Sequence, residues 1–383
     1  MANKKKKKNS NKTVTAKKVS KPKKKMSPEA KEKLKTSFLT LVNNDACIRA
    51  SREYHGWGWN ALAVTLAVAS CVIAVVPSLV GRLQVDYGNS VLSSPNYSYD
   101  DGLTNFTKKL AEEGIDLTID NNGHPSFGST ESVWIEKMAT KGNETDKLYF
   151  YKDVSSSKGQ TMFEVFVNPT VFTTAAAHAE VTDTTFFADI VEGKNPINHT
   201  TRSDRIEGSD APYATSFLAF GLDSIMIGRY NASGKGERLT GENKVLIGTN
   251  FKSFAFNKEN QMLQNSELKE AVVANYKNVF RSMTQAQKEA GAWQYTGIMF
   301  GVYVGLNVLF GLLLFLLTRG KRNPLRVYTF WETQKMSYWA SFAPGILSLC
   351  LGFAMQSMAM MSFIFLFGMR IMWMSMKSMR PAQ

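Results

Sequence analysis

Four histidines, His55, His124, His178 and His199, are the side chains best suited to ligate a metal or move a proton near neutral pH. They are scattered, and no two stand at the spacing of a helical metal pair. The densest polar group is His178-Ala-Glu180 with Asp183. An imidazole beside carboxylates could act as a general base or ligand, but the same residues are expected to form an ordinary exposed loop. Neither G-x-S-x-G nor a P-loop is present. The stretch Gly234 to Gly241 (GKGERLTG) approaches a phosphate loop but lacks the Lys-Ser/Thr end. It is expected to be a turn between two strands. Trp134, Tyr149 and Tyr151 could stack against a sugar; at alternate strand positions they are expected to be sheet core instead. The sequence therefore assigns no catalytic, cofactor-binding or metal residue, and no cofactor.

The elements that dominate the chain are apolar. Trp293 to Thr318 is 26 residues without a formal charge, and about 20 helical residues cross a hydrocarbon core of about 30 Å. Asn307 lies in the middle of this segment, where it can hydrogen-bond to a neighbouring helix or line a polar path; the first is expected. Tyr338 to Met374, 37 residues, suits two spans with a break near Gly352 to Gln356; a re-entrant hairpin is the alternative. Pro344 and Gly345 can kink the first arm. Arg370 is the single charge within this stretch, and it is expected to snorkel toward Lys377 rather than contact a substrate. Asn60 to Val80 is the first span, with Trp57 and Trp59 as its aromatic belt and Pro77 kinking its last turn.

Charge orients these spans. Residues 1–59 carry 17 Lys/Arg and 4 Asp/Glu, residues 83–292 carry 20 and 27, and the remainder carries 9 and 1. Basic residues favour the cytoplasmic side, so both termini and the 320–337 loop are placed inside and residues 83–292 outside. The three cysteines, Cys47, Cys71 and Cys350, all lie outside that large region, which therefore has no disulfide and suits a bacterial envelope. Its sequons at Asn96, Asn105, Asn143, Asn198 and Asn231 are read as chance.

The lysine-rich start is low in complexity and expected to be disordered. Lys4, Lys5, Lys6, Lys7, Lys8, Lys23, Lys24 and Lys25 are candidate contacts to the anionic inner leaflet, at about 1 kcal/mol each. Asn307, Gln356 and Arg370 are the candidate intramembrane polar contacts. The basic balance belongs to the tail and flanking loops, so no specific nucleic-acid partner is expected.

Pro28 to Arg52 reads as one helix, N-capped by Ser27, with Phe38, Leu41, Val42, Asp45 and Ile48 as its stripe. Within 83–292, Leu103 to Glu113 reads as an amphipathic helix. Ile115–Ile119, Ser132–Lys137, Leu148–Val154, Met162–Val167, Ser216–Arg229 and Lys244–Phe256 read as strands between turn signals. Ser266 to Ala290 reads as a helix with Leu268, Val272, Tyr276, Val279 and Met283 on one stripe, leading almost directly into the second span.

The expected fold class is a membrane protein of about four transmembrane α-helices, with one α+β extracytoplasmic domain between spans 1 and 2. The divisions are tail 1–26, cytoplasmic amphipathic helix 27–56, first span 57–82, domain 83–292, second span 293–319, basic loop 320–337, third span 338–354, fourth span 355–376 and C-terminus 377–383.

Several stretches resemble a known family. They are Ser37-Phe38 before the first span, Gly56-Trp57-Gly58 at its start and Val76-Pro77-Ser78 at its end. Two more are Leu117 to Gly123 (LTIDNNG) and Lys335 to Pro344 (KMSYWASFAP). Together they are similar to the bacterial multi-pass membrane proteins known as maltodextrin utilisation proteins, although the basic tail is longer than that family's usual start. The resemblance covers most of the chain through individually unspecific hydrophobic motifs. It implies a link to sugar utilisation and no catalytic residue. The resulting expectation is a non-enzymatic accessory or interaction protein of the plasma membrane. Its expected partners are anionic lipid and another envelope or membrane protein. The alternatives are a subunit of a small-solute transporter and a membrane-tethered sensor domain.

Overall fold

The computed structural model describes residues 27–86, 99–139, 148–154, 161–172, 181–202, 216–230, 236–319, 328–355 and 358–377. The lysine tail, Gln356, His178 and Glu180 lie outside the described residues. In chain order the helices are α1 (Pro28–Leu39), α2 (Asn44–Glu53), α3 (Trp57–Gln84), α4 (Tyr99–Glu112), α5 (Glu131–Lys137), α6 (Asp183–Val191), α7 (Asn265–Thr318), α8 (Phe330–Ala354) and α9 (Ala359–Lys377). The strands are β1 (Thr118–Ile119), β2 (Pro125–Ser126), β3 (Phe150–Asp153), β4 (Phe163–Val167), β5 (Ser216–Phe220), β6 (Ser224–Tyr230) and β7 (Gly236–Glu242). The chain divides into two compact units, one of Met1–Val76 with Phe300–Gln383 and one of Pro77–Met299.

Among the described residues three helices are long and apolar enough to cross a membrane: Trp57–Gln84, Asn265–Thr318 and Phe330–Ala354, with mean hydropathies of 2.4, 2.3 and 1.2. A shorter apolar stretch, Met361–Met376, lies in α9. In the first unit large apolar side chains face outward, among them Val68, Val72, Leu309, Leu316, Leu347 and Phe365. Water would penalise such a surface, whereas lipid accepts it. The chain is thus a multi-pass membrane protein.

Pro28 to Arg52 is not one helix. Its α1 starts at Ser27, whose hydroxyl accepts from Ala30 N at 3.2 Å, with Pro28 in the first turn. The chain then breaks at Asn43, which is extended (φ −112°, ψ 122°) and accepts from Asp45 N at 2.8 Å to start α2. The Asn side chain offers the backbone a cap in place of a continued helix. The expected stripe consequently splits, leaving Phe38 and Val42 exposed. Tyr54 Oη donates to Lys33 O at 3.2 Å and ties the end of α2 back to α1.

Likewise, the segment read as a basic loop to residue 337 is helical from Phe330. Thr329 Oγ1 accepts from Glu332 N at 3.3 Å, and Glu332 Oε2 accepts from Thr329 N at 2.8 Å. This reciprocal capping box starts the helix eight residues before Tyr338. Met355 leaves helical geometry (φ −140°, ψ 84°) at the expected break, and α9 packs back on α8. The helix read from Ser266 and the span read from Trp293 are one 54-residue helix. No proline interrupts it, and the lone Gly291 between the two parts is tolerated.

The second unit is built on a five-stranded sheet of order β3-β4-β5-β6-β7, with β4 and β5 parallel and the other pairs antiparallel. Alternate residues enter different cores, as the two-residue period requires. Phe163, Val165, Leu218, Phe220, Ile225 and Ile227 join the core with Phe106, Trp134 and Tyr276. Phe166, Phe217, Ala219 and Met226 join the core with Phe186 and Ile190 of α6. The stripe Leu268, Val272, Tyr276, Val279 and Met283 is buried as its spacing predicts. Gly102 lets α4 approach the sheet, since a Cβ there would lie 2.3 Å from Phe163 Cγ.

Three strand readings and one turn reading change. Ser132–Lys137 is helical within α5, so Trp134 is core without being sheet. Lys244–Phe256 forms two 3₁₀ turns, Asn243–Leu246 and Phe251–Ala255. There Asn250 Oδ1 accepts from Lys252 N at 3.0 Å and curls the chain. Gly236–Glu242 is a strand rather than a turn, paired along its length with β6. Ser216–Arg229 is two strands joined at Gly221-Leu222-Asp223.

Candidate functional site

Polar side chains in the first unit gather on the facing sides of three apolar helices. Asn307 of α7 is buried and donates from Nδ2 to Cys71 Sγ of α3 at 3.2 Å and to Tyr303 O at 3.2 Å. Ser337 Oγ of α8 donates to Asn307 O at 2.8 Å, and Gln334 Nε2 donates to Val308 O at 3.1 Å. Ser70 Oγ of α3 meets Ser341 Oγ of α8 at 3.0 Å. Small residues permit this closeness. A Cβ at Gly311 would fall 2.5 Å from Gln334 Oε1, and one at Gly345 would fall 2.9 Å from Ser70 O. Asn307 accordingly binds a neighbouring helix. The seam also holds two buried acceptors without a hydrogen-bond partner among the described residues, Asn307 Oδ1 and Gln334 Oε1. Chemically it can accept hydrogen bonds from a water or a small donor, and it offers no nucleophile beyond shielded hydroxyls and Cys71.

Arg370 of α9 does not snorkel along its own helix. Its Nε donates to Asn44 Oδ1 at 2.9 Å and its Nη1 to Ala340 O at 2.9 Å, while Nη2 donates to Thr40 O. Nη2 also reaches Cys47 Sγ at 3.4 Å. The break between α1 and α2 supplies Thr40 O and Asn44 Oδ1, and α8 supplies Ala340 O. The Cys47 thiol is buried beneath the same turn, donating to Thr40 O at 3.4 Å. Burial pushes its pKa up to about 11, against a smaller lowering by the Arg370 charge. It therefore stays a neutral thiol at physiological pH and is a poor nucleophile.

The second unit contains polar pairs that no sequence motif announced. Glu164 of β4 and Arg202 are both buried and form a two-pronged ion pair at 2.9 and 3.1 Å. The guanidinium lies over Phe150 and Phe166, 5.1 and 5.3 Å from their centroids. His199 Nδ1 is 2.6 Å from Asp189 Oδ2. Asp183, suspected in the His178 cluster, is a turn lock: its carboxylate accepts from Leu222 N at 2.6 Å and Asp223 N at 2.9 Å. A Cβ at Gly221 would lie 2.4 Å from Asp183 Oδ1. Trp134 is fully buried and stacks on Phe127 at 4.7 Å, and Tyr149 stacks on Phe172 at 4.4 Å. These rings form a core stack, closed to a sugar face. Among the described residues no three His, Cys, Asp or Glu side chains could hold a metal ion.

Spacing could not have revealed the ion pair, since Glu164 and Arg202 are 38 residues apart and Glu164 sits in an otherwise apolar strand. That single charge in FEVFV was the available signal. Comparison with protein families, with curated proteins and with solved structures finds no match to this chain.

Proposed function

We propose that this chain is a non-enzymatic accessory or interaction protein of the bacterial plasma membrane. The observation that carries this reading is the use of the intramembrane polar groups. Asn307, Ser337, Gln334 and Ser70 spend their donors on neighbouring helices, as a packed bundle requires. In the proposed topology α9 serves as the fourth span, both termini are cytoplasmic and residues 83–292 are extracytoplasmic. The asymmetry of basic residues supports this orientation. The large domain would engage another envelope protein, and the resemblance to maltodextrin utilisation proteins suggests carbohydrate uptake as the setting.

A second reading, a subunit of a small-solute transporter, is favoured by the unpartnered Asn307 Oδ1 and Gln334 Oε1. The two separate by experiment. Asn307→Leu with Gln334→Leu should leave uptake of maltodextrins by whole cells unchanged at equal expression. A membrane-impermeant crosslinker should meanwhile join the extracytoplasmic domain to a defined envelope protein. Uptake lost in the double variant, with no crosslinked product, would refute the accessory reading and favour transport.

A further inference from the structure

The first unit carries a groove of about 750 Å³ beside Arg370. Its walls include Pro344 and Leu347 of α8, Leu366, Met369 and Trp373 of α9, and Val42 from the turn between α1 and α2. Nearly all of that lining is apolar, and the size falls within the roughly 300–1,000 Å³ of small-molecule sites. Asn44 and Arg370 are its polar groups.

The charge on Arg370 is what the surroundings leave unanswered. Its hydrogen-bond acceptors are an amide, two backbone carbonyls and a thiol. All are neutral, and among the described residues no carboxylate pairs with it. A cation held in an apolar surface calls for an anion, and a guanidinium fork suits phosphate oxygens. Arg370 stands seven residues before Lys377 at the end of α9, about 10 Å along the helix at 1.5 Å per residue. Trp373, exposed on the same wall, is the type of side chain that sits at headgroup depth. Val42 is 89 % exposed at the rim, and acyl chains would cover it where water would not.

We propose that this groove binds one anionic phospholipid, with its phosphate on Arg370 and an acyl chain along the apolar wall of α8 and α9. The lipid would staple the turn between α1 and α2 to the α8–α9 pair. Assignment to the inner leaflet rests on the proposed orientation; the binding itself does not.

The test uses the purified full-length chain, stripped of lipid in a neutral detergent and titrated with phosphatidylglycerol or phosphatidylcholine. Native mass spectrometry counts the bound lipids. Titration in 0.3 M salt screens the exposed lysine tail, while a buried pair is screened far less. One phosphatidylglycerol should bind at least about tenfold more tightly than phosphatidylcholine. Arg370→Gln should remove that preference, and Arg370→Lys, which keeps the charge and loses the fork, should keep only part of it. Ala343→Trp fills the groove and leaves Arg370 in place, so it should weaken both lipids about tenfold or more even if Arg370→Gln fails to fold. Equal binding of the two lipids to the native chain would overturn the proposal. So would a phosphatidylglycerol affinity left unchanged by Ala343→Trp, complete displacement by millimolar inorganic phosphate, or a protein dimer that forms at this face in place of lipid binding.

Discussion

Replacing Glu164 by Gln takes a carboxylate away from the buried Arg202 guanidinium. Both side chains are essentially inaccessible, at 0 % and 3 % exposure, and the pair has two short contacts of 2.9 and 3.1 Å. Losing one partner of such a pair costs about 3–5 kcal/mol, because the remaining charge keeps its desolvation penalty. For a unit of this size each kcal/mol shifts the unfolding midpoint by about 2–4 °C, so the expected drop is about 6–20 °C. Replacing both partners with apolar residues of similar volume, Glu164→Leu with Arg202→Met, should recover most of that loss. The desolvation penalty then disappears along with the attraction. The assay is a heat pulse followed by brief proteolysis of the full-length chain in detergent, with cleavage mapped to residues 77–299. A Glu164→Gln midpoint within 2 °C of the native chain would refute the assignment of a buried, coupled pair. A double variant no better than either single variant would refute the desolvation argument.

Cysteine placed at Ser157 should react with a membrane-impermeant maleimide on intact cells and one at Asn323 should not, in a background without native cysteines; the reverse result inverts the proposed topology. Trp134→Ala should destabilise the second unit by about 3–5 kcal/mol, as a large core truncation does, and the native chain should show no maltodextrin affinity by calorimetry. Micromolar affinity lost in that variant would make the domain a sugar receptor. Cys47 should label slowly in the folded protein at pH 7–8 and faster as pH rises toward about 11. Its burial contributes stability that is full below the ordinary thiol range and is lost as pH climbs through that range toward the raised value; rapid labelling at pH 7 would show the thiol is not shielded. A peptide of residues 4–25 should bind acidic vesicles and release as salt shortens the screening length to about 8 Å, whereas equal binding to neutral vesicles would exclude an electrostatic attachment.

The sequence alone determined the elements whose cause is local. The apolar runs at Asn60–Val80 and Trp293–Thr318 are long enough to demand a membrane whatever surrounds them. The Leu268–Met283 stripe declared a buried helix face by its spacing. Ser27 announced the start of α1 by side-chain chemistry. What failed locally failed for a stated reason. Asn43 can cap or continue a helix, and the packing of α2 on α8 accompanies the choice to cap. Ser132–Lys137 is too short for its period to separate helix from strand. Only tertiary structure brought Glu164 to Arg202, Asn307 to Cys71 and Arg370 to Thr40 and Asn44. Each of these contacts joins residues dozens to hundreds of positions apart. A polar side chain in a sequence reports what it could bond, and only the folded chain decides which acceptor is within 3 Å of it.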